Sequence, residues 1–514
     1  MFFPARRRHL LGGVFFSAAA AAASSTAAFL TNTRPPAWPH TAATTTTPTT
    51  AAPPFDTALG AATRKKKKGS GTKKKSAPKN PALGFSRASG TWDGCEPLRK
   101  WLLDRGATIA GVNVGVVDKA TGLRGVTAAV PFGRGDVLFS VPRSKCMIDE
   151  ARVDQSPLGS ALFPGEEEQN LVPACARNAL YLLWLGRQGG EGEGKDWSPF
   201  TDALPSSADF AADGGPMELW DEEEVAEVEC GHMIAEVHQR SGDLRRQYED
   251  IIRPRWQQAA DNDSDNRLHL GAPPTFEEFR HAVCVVTSRT FGEGEPNSGT
   301  SSMMVPGVDM FNHNDPPVNT RHGLAPWGDF VVYADAPIAA GDEIFLTYGM
   351  LPNRLLLAQF GFMLPGLPRH ALASDTALVR VDGLFDPEAA PPRATPASEA
   401  EAERDWEAGP GPQALGALRK NTVVRNKASN KVARWQPAAL ARAAVAHISD
   451  GEEEANERYR ALLERELGSY ATTRQEDEEE QERGGCGARK GWALQFRIQA
   501  KRLLERELEA LPII

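Results

Sequence analysis

Asn312, His313 and Tyr348 are the residues of this chain whose types and spacing could do chemistry. An amide, an imidazole and a phenol can orient a polar ligand, and the latter two can also exchange protons with it. Asn312 and His313 lie in a short polar loop, residues 309–315, dense in side-chain donors and acceptors. Tyr348 ends an apolar alternating segment, residues 343–348, which with residues 330–333 reads as two short strands around a Gly341-Asp342 turn. Taken singly, each residue has an ordinary reading. Tyr348 would be a strand-end core aromatic, and Asn-His ahead of Asp-Pro would be turn chemistry. Asp309, His313 and His322 could be imagined as metal ligands, but nothing in their spacing demands it, and no metal is expected.

The elements that must hold these residues follow in order. Folded sequence is expected from about residue 91. Residues 92–105 read as a helix with Leu98, Trp101, Leu102 and Arg105 on one face, followed by strands at 112–117, 126–130 and 137–141. Helical patterns then run over 174–185, 222–240, 244–253 and 275–290, the last opened by a capping box, Thr275 with Glu278. Strands split by a helical block imply an insertion within one fold. Residues 385–413, rich in Pro, Ala, Gly and acids, read as a loop or boundary. Beyond residue 415 helices dominate, notably 438–448, 455–467 and 492–511. The acidic run 476–482 reads as a solvated helix face or loop. Residues 189–196 (GGEGEGKD) almost spell a phosphate loop. They lack the hydroxyl residue after Lys195 and a preceding strand, and are expected to form a surface loop.

Asp-Met-Phe-Asn-His at 309–313 and Gly-Asp-Glu-(apolar)3-Thr-Tyr-Gly at 341–349 resemble the paired signature of SET-domain protein methyltransferases. Gly122–Thr127 (GLRGVT), Val141-Pro142, residues 197–205 (WSPFTDALP), Ser288-Arg289-Thr290-Phe291 and residues 348–353 occur in that family's order. Residues 470–477 and 493–504 (ALQFRIQAKRLL) are similar to the C-terminal substrate-binding domain of the Rubisco large-subunit lysine methyltransferase group. The resemblance implies an α+β fold: a β-rich SET domain with a helical insertion, then an all-α C-terminal domain. Its boundaries would be a leader and basic linker at 1–90, the SET domain at 91–370 with the insertion at about 155–290, and the helical domain at 371–514.

It also implies a function, S-adenosyl-L-methionine-dependent protein-lysine N-methylation. In the family the Asn-His and Tyr segments thread past one another beside the cofactor. Tyr348 would then stand at the mouth of the lysine channel. Gly122, Leu123, Arg124, Arg289, Asp309, Asn312 and His313 would line the cofactor, with Arg289 facing its carboxylate. Phe360, Ser288 and Asp309 would face the substrate. Relatives often carry Glu at the position of Gly122, so this chain departs from the family's pattern there. They commonly carry Tyr at the position of Phe360, and its loss here makes room for a methylated amine, favouring di- or trimethylation. A histidine acceptor, or a non-catalytic scaffold that only binds partners, are the competing readings.

Charge and composition narrow the partners. The 514-residue chain has a formal charge of −9 and is 41% hydrophobic. Fourteen Lys/Arg but only Asp56 among the acids lie in the first 90 residues, leaving 44 basic against 66 acidic side chains in the rest. An acidic body argues against nucleic-acid binding. A monomer acting on a lysine-bearing protein is expected. The six cysteines are scattered without a C-x-x-C pair, as expected for reduced thiols. Arg6-Arg7-Arg8, an apolar run at 10–23, and Thr26-Ala27-Ala28 before Phe29 read as a targeting leader, resembling the bipartite leaders of secondary plastids. Mitochondrion, or cytoplasm and nucleus, are the runners-up. The run is too short for a membrane span, and the mature protein is expected off the membrane. Residues 64–75 (RKKKKGSGTKKK) read as a basic linker rather than a nuclear signal.

Overall fold

Apolar residues on alternate positions draw the strands that frame the site around one core. The computed structural model describes residues 90–119, 121–188, 192–292, 302–314, 318–349, 351–364, 377–381, 424–425, 432–433 and 435–512. The leader, the basic linker and the 385–413 loop lie outside the described residues.

Helix α1 (Glu96–Asp104) buries Leu98, Trp101 and Leu102, as the spacing predicts, but starts four residues later than expected. Trp92 instead forms a bridge to Val114. Strand β1 (Thr108–Ile109) is followed by the β2 (Val112–Val116) and β3 (Arg124–Ala128) hairpin, and by β4 (Val137–Pro142), whose first five residues are all buried. The helical block comes next, and the chain re-enters the same sheet with β6 (Thr320–Leu324) and β7 (Asp329–Ala334). Sheet order is β1-β4-β7-β6, antiparallel throughout. Central neighbours from opposite sides of the block are latched by Ser140, whose hydroxyl donates to Asp329 at 2.8 Å. The helical segment is therefore an insertion within one sheet.

Inside that block, α2 (Ala174–Arg187) is the buried centre, packed on α8 (Phe276–Arg289). The Thr275–Glu278 capping box opens α8 as expected. Three expectations need correction. Residues 192–196 of the phosphate-loop look-alike open helix α3 (Gly192–Thr201), because Trp197 and Phe200 are buried and the Tyr181 hydroxyl donates to Glu193 at 2.7 Å. The single helix expected over 222–240 is two, α5 (Glu222–Ala226) and α6 (Gly231–Gln247), with α4 (Ser207–Asp213) before them. Its break falls at Glu229, held at φ +53°. There the Glu229 carboxylate meets Arg497 and accepts the Ala471 N–H, contacts over 200 residues distant that outweigh local helix propensity. The helix expected at 244–253 is also composite: α6 passes through a π-turn, Tyr248–Ile252, into α7 (Arg253–Asn262).

Beyond the sheet, α9 (Asn353–Phe360) leads to the C-terminal region. A short ribbon, β9 (Leu378–Arg380) with β10 (Trp435–Pro437), precedes helices α10 (Ala438–Ile448), α11 (Glu452–Leu467), α12 (Arg474–Arg483) and α13 (Ala488–Glu509). A second apolar core joins these helices to α9 and to the insertion. Within it the acidic run departs from a solvated face at one residue. Asp477 is fully buried, 2.5 Å from the equally buried Lys501 and 3.0 Å from Arg497.

Lys501→Met should therefore lower the unfolding free energy of the full chain by about 3 kcal/mol, because it leaves part of a buried carboxylate's charge uncompensated. Lys490→Met, which loses an exposed pair with Glu480, should change it by less than about 1 kcal/mol. Urea denaturation of both variants checks the contrast.

Candidate active site

Two short segments cross at the centre of the candidate site. Strand β5 (Asn312–His313) lies parallel to β8 (Phe345–Leu346), pairing Asn312 with Phe345 and His313 with Leu346. The alternating segment expected at 343–348 is ladder-paired only over these two residues, and side chains replace the missing ladder. Asn319 accepts the Phe345 N–H at 2.9 Å and donates to the Glu343 carbonyl at 2.9 Å. Thr320 donates its hydroxyl to the Phe345 carbonyl at 2.6 Å.

Tyr348 leaves β8 directly over this crossing. Its backbone N–H donates to His313 Nδ1 at 3.1 Å, and the two rings stack with centroids 5.0 Å apart. Nδ1 is thus the accepting nitrogen of the imidazole. The Tyr348 hydroxyl donates to the Phe311 carbonyl at 2.7 Å. Burial pushes its phenol up to about 12, with Arg289 pulling down and Asp309 pushing up. The ring meets Phe360 at 5.0 Å and Phe362 at 6.4 Å, and those two rings lie 6.2 Å from each other, so the three form one aromatic cluster.

Asp309 is buried at the base of the loop. One oxygen accepts the Gly307 N–H at 2.8 Å, and the other pairs with Arg289 Nη1 at 3.1 Å. Burial raises its carboxyl, and the Arg289 cation opposes that. Arg289 also donates to the Asp309 backbone carbonyl, so the C-terminal end of α8 is stapled to the loop that carries Asn312.

Asn312 binds the β2–β3 hairpin. Its Nδ2 donates to the Arg124 carbonyl at 2.9 Å and to Glu343 at 2.8 Å. Arg124 therefore enters the site through its backbone, and its guanidinium turns to the Asp93 carbonyl and Cys95 sulfur. Leu123 is exposed at the hairpin tip, and Gly122 there has φ +77° with no atom within 4 Å of an added Cβ. Gly125 is the crowded glycine. A Cβ there would lie 2.6 Å from Asn312 Nδ2 and 2.7 Å from Glu343.

The structure thus brings Tyr348, Asn312, His313, Asp309, Arg289 and Phe360 into one neighbourhood, with the Gly122–Arg124 tip beside it. Ser288 is different: its hydroxyl turns back onto its own helix, donating to the Cys284 carbonyl at 2.8 Å. Gly125, Glu343, Asn319 and Phe362 belong to the site but were not among the sequence candidates. Their signals, a second glycine after Leu-Arg and a glutamate two residues past a turn glycine, have no meaning until the segments cross. His322 lies against the Phe291 and Phe330 rings, and among the described residues no three His, Cys, Asp or Glu side chains gather as metal ligands would.

A SET-domain family model matches residues 123–349, from the hairpin tip to the residue after Tyr348. This segment is a SET domain. The chain is 26% identical over 268 residues to the actin-histidine N-methyltransferase of Mus musculus, covering 52% of this chain and 41% of that protein. It is 26% identical over 282 residues to N-lysine methyltransferase SETD6 of Rattus norvegicus, 53% of this chain and 52% of that one. A third relative is the chloroplastic Rubisco large-subunit N-methyltransferase of Nicotiana tabacum, 23% identical over 300 residues, 56% of this chain and 54% of that one. The chain spans about half the length of these curated relatives. The solved structure of Rubisco LSMT bound to AdoMet superimposes with a TM-score of 0.55 at 17% identity, covering 81% of this chain and 90% of that chain. At that identity the likeness speaks for the fold, a SET domain with a helical C-terminal region.

Gly125→Ala should cost about 1–3 kcal/mol through overpacking at the Asn312–Glu343 contact. Gly122→Ala meets no neighbour and should cost about 1 kcal/mol, from the left-handed backbone alone. Denaturant titrations of the two variants test this order.

Proposed function

We propose that the protein is an S-adenosyl-L-methionine-dependent protein-lysine N-methyltransferase acting on a plastid protein such as the Rubisco large subunit or fructose-bisphosphate aldolase. The observation that carries this reading is the Tyr348 hydroxyl, pinned to the Phe311 carbonyl above the crossed strands and walled by Phe360 and Phe362. Bound adenosylmethionine supplies an activated methyl group on a sulfonium. The residues present fit that group: open space at the Gly122 tip, an Asn312 amide, the His313 segment and the Arg289 cation lie about one crossing.

The chain's own residues do the rest. Because its proton is donated to Phe311, the Tyr348 oxygen offers lone pairs toward an incoming amine and the carbon it attacks. A phenol raised to about 12 stays neutral through the physiological range, so Tyr348 orients rather than removes a proton. The lysine amine, with an unperturbed pKa of ~10.4, must arrive neutral. Aromatic walls disfavour its charged form and exclude water. Phe360 and Phe362 carry no group that could hydrogen-bond the far nitrogen of an imidazole, which favours lysine over histidine. The intact constellation around Tyr348 favours an enzyme over a non-catalytic scaffold.

In this reading residues 91–370 are the catalytic unit and 371–514 dock the protein substrate as part of a monomer, while residues 1–90 address the chain to a plastid. No helix among the described residues is long and apolar enough to cross a membrane.

Tritium from labelled adenosylmethionine should enter a stromal protein on lysine. Tyr348→Phe should slow transfer on the order of 100-fold, the scale for one polar group at a reacting centre. Label on histidine would select the other acceptor, and absence of label in any protein would remove the enzyme reading. The rate should rise with pH as the amine deprotonates. No fall below pH ~10 should come from Tyr348, whose ionisation lies near 12. Phe360→Tyr should shift the product toward monomethyl-lysine in mass spectra, and an unchanged pattern would separate Phe360 from methylation number.

A further inference from the structure

Glu343 has no part in the chemistry above, yet it sits against Asn312. We infer that Glu343 is a positioning residue, fixing which end of the Asn312 amide faces the bound cofactor. This rests on the adenosylmethionine reading and extends it by one residue.

Asn312 Nδ2 has two hydrogens, and both have acceptors: Glu343 at 2.8 Å and the Arg124 carbonyl at 2.9 Å. An ionised carboxylate and a backbone carbonyl can only accept. Exchanging the ends of the amide would set its oxygen against both, losing two bonds and adding repulsion. The orientation is therefore fixed, and the amide oxygen is the function Asn312 has left to offer. An oxygen acceptor suits the ammonium end of the cofactor's amino-acid portion.

The rest of the neighbourhood maintains Glu343 in that place. Its backbone carbonyl is held by Asn319, the next residue's N–H donates to the Val126 carbonyl at 2.8 Å, and the residue bridges Thr127. Gly125 leaves the space in which the two side chains meet. Among the described residues no cationic side chain forms an ion pair with Glu343, so its hydrogen-bonded neighbour is Asn312. Burial raises the Glu343 carboxyl, and the Asn312 hydrogen bond opposes that. A half-buried carboxylate is costly to keep without a partner. Here its partner is the residue that would touch the cofactor.

The test is calorimetric titration of adenosylmethionine into the full chain, as wild type, Glu343→Gln and Glu343→Ala, with melting temperatures alongside. Loss of a charge-assisted hydrogen bond should weaken binding about tenfold in Glu343→Gln and at least as much in Glu343→Ala. The apparent KM for adenosylmethionine in tritium transfer to stromal extract should rise in step. The limiting rate should stay within about threefold of wild type, because Tyr348 is untouched. Wild-type affinity in both variants, or a fallen limiting rate at unchanged affinity, would overturn the inference and leave Glu343 a strand latch. If Glu343→Ala does not fold, the near-isosteric Glu343→Gln decides. A wild-type chain that binds no adenosylmethionine would instead overturn the functional reading beneath it.

Discussion

The parallel contact between residues 312–313 and 345–346 is the constraint on which the site depends. Two residues of ladder are too few to hold a register, and strand side chains alternate, so a slip of one would send each to the opposite face. Asn319 and Thr320 remove that freedom by gripping both backbone groups of Phe345. Once the register is set, Tyr348 has one place to go. Its N–H reaches His313, its ring covers the imidazole, and its hydroxyl reaches the carbonyl of Phe311 just before the Asn-His pair. The phenol is thus fixed at three points by the segment it crosses.

A second constraint comes from the far end of the chain. Phe360 and Phe362 flank Gly361, whose φ of +78° ends α9; a Cβ added there would lie 2.3 Å from the carbonyl of Gly215 in the insertion, so only glycine permits this close approach. At the other end of α9, Asn353 is fully buried. It closes on Leu364 through both its amide functions and donates to Gln499 of α13 at 2.9 Å. Trp492 of the same helix donates to the Asp213 carbonyl. The aromatic wall beside Tyr348 is therefore assembled from the SET sheet, the insertion and the C-terminal helices together. The rings beside Tyr348 and the C-terminal helices are thus parts of one connected body.

How much of this was legible in sequence follows from the range of each interaction. The helices α2 and α8 and the strands β2, β4 and β7 announce themselves by local periodicity, and Thr275 with Glu278 marks a helix start that tertiary contacts leave alone. The insertion was legible because it interrupts strands. Residues 309–313 and 341–349 could be picked out by type and order. What stayed hidden was long-range. The break at Glu229 answers to Arg497, α3 to Tyr181, and Asp477 to Lys501. Gly125 and Glu343 acquire meaning only when Asn312, some 190 residues after one and 30 before the other, arrives between them.

The pairing of Arg289 with Asp309 shows why this site needs charge as well as shape. Alone, the buried Asp309 carboxylate would be costly and would push the Tyr348 phenol further up. Alone, the Arg289 cation would draw the phenol toward ionisation, and a tyrosinate would accept protons from the amine rather than hold it. Set 3.1 Å apart, the two act on Tyr348 in opposite senses, and burial is the largest effect. A neutral phenol at that position is what the proposed transfer from a cationic donor to an uncharged amine would require. In that proposal it would polarise both without competing for the proton already lost.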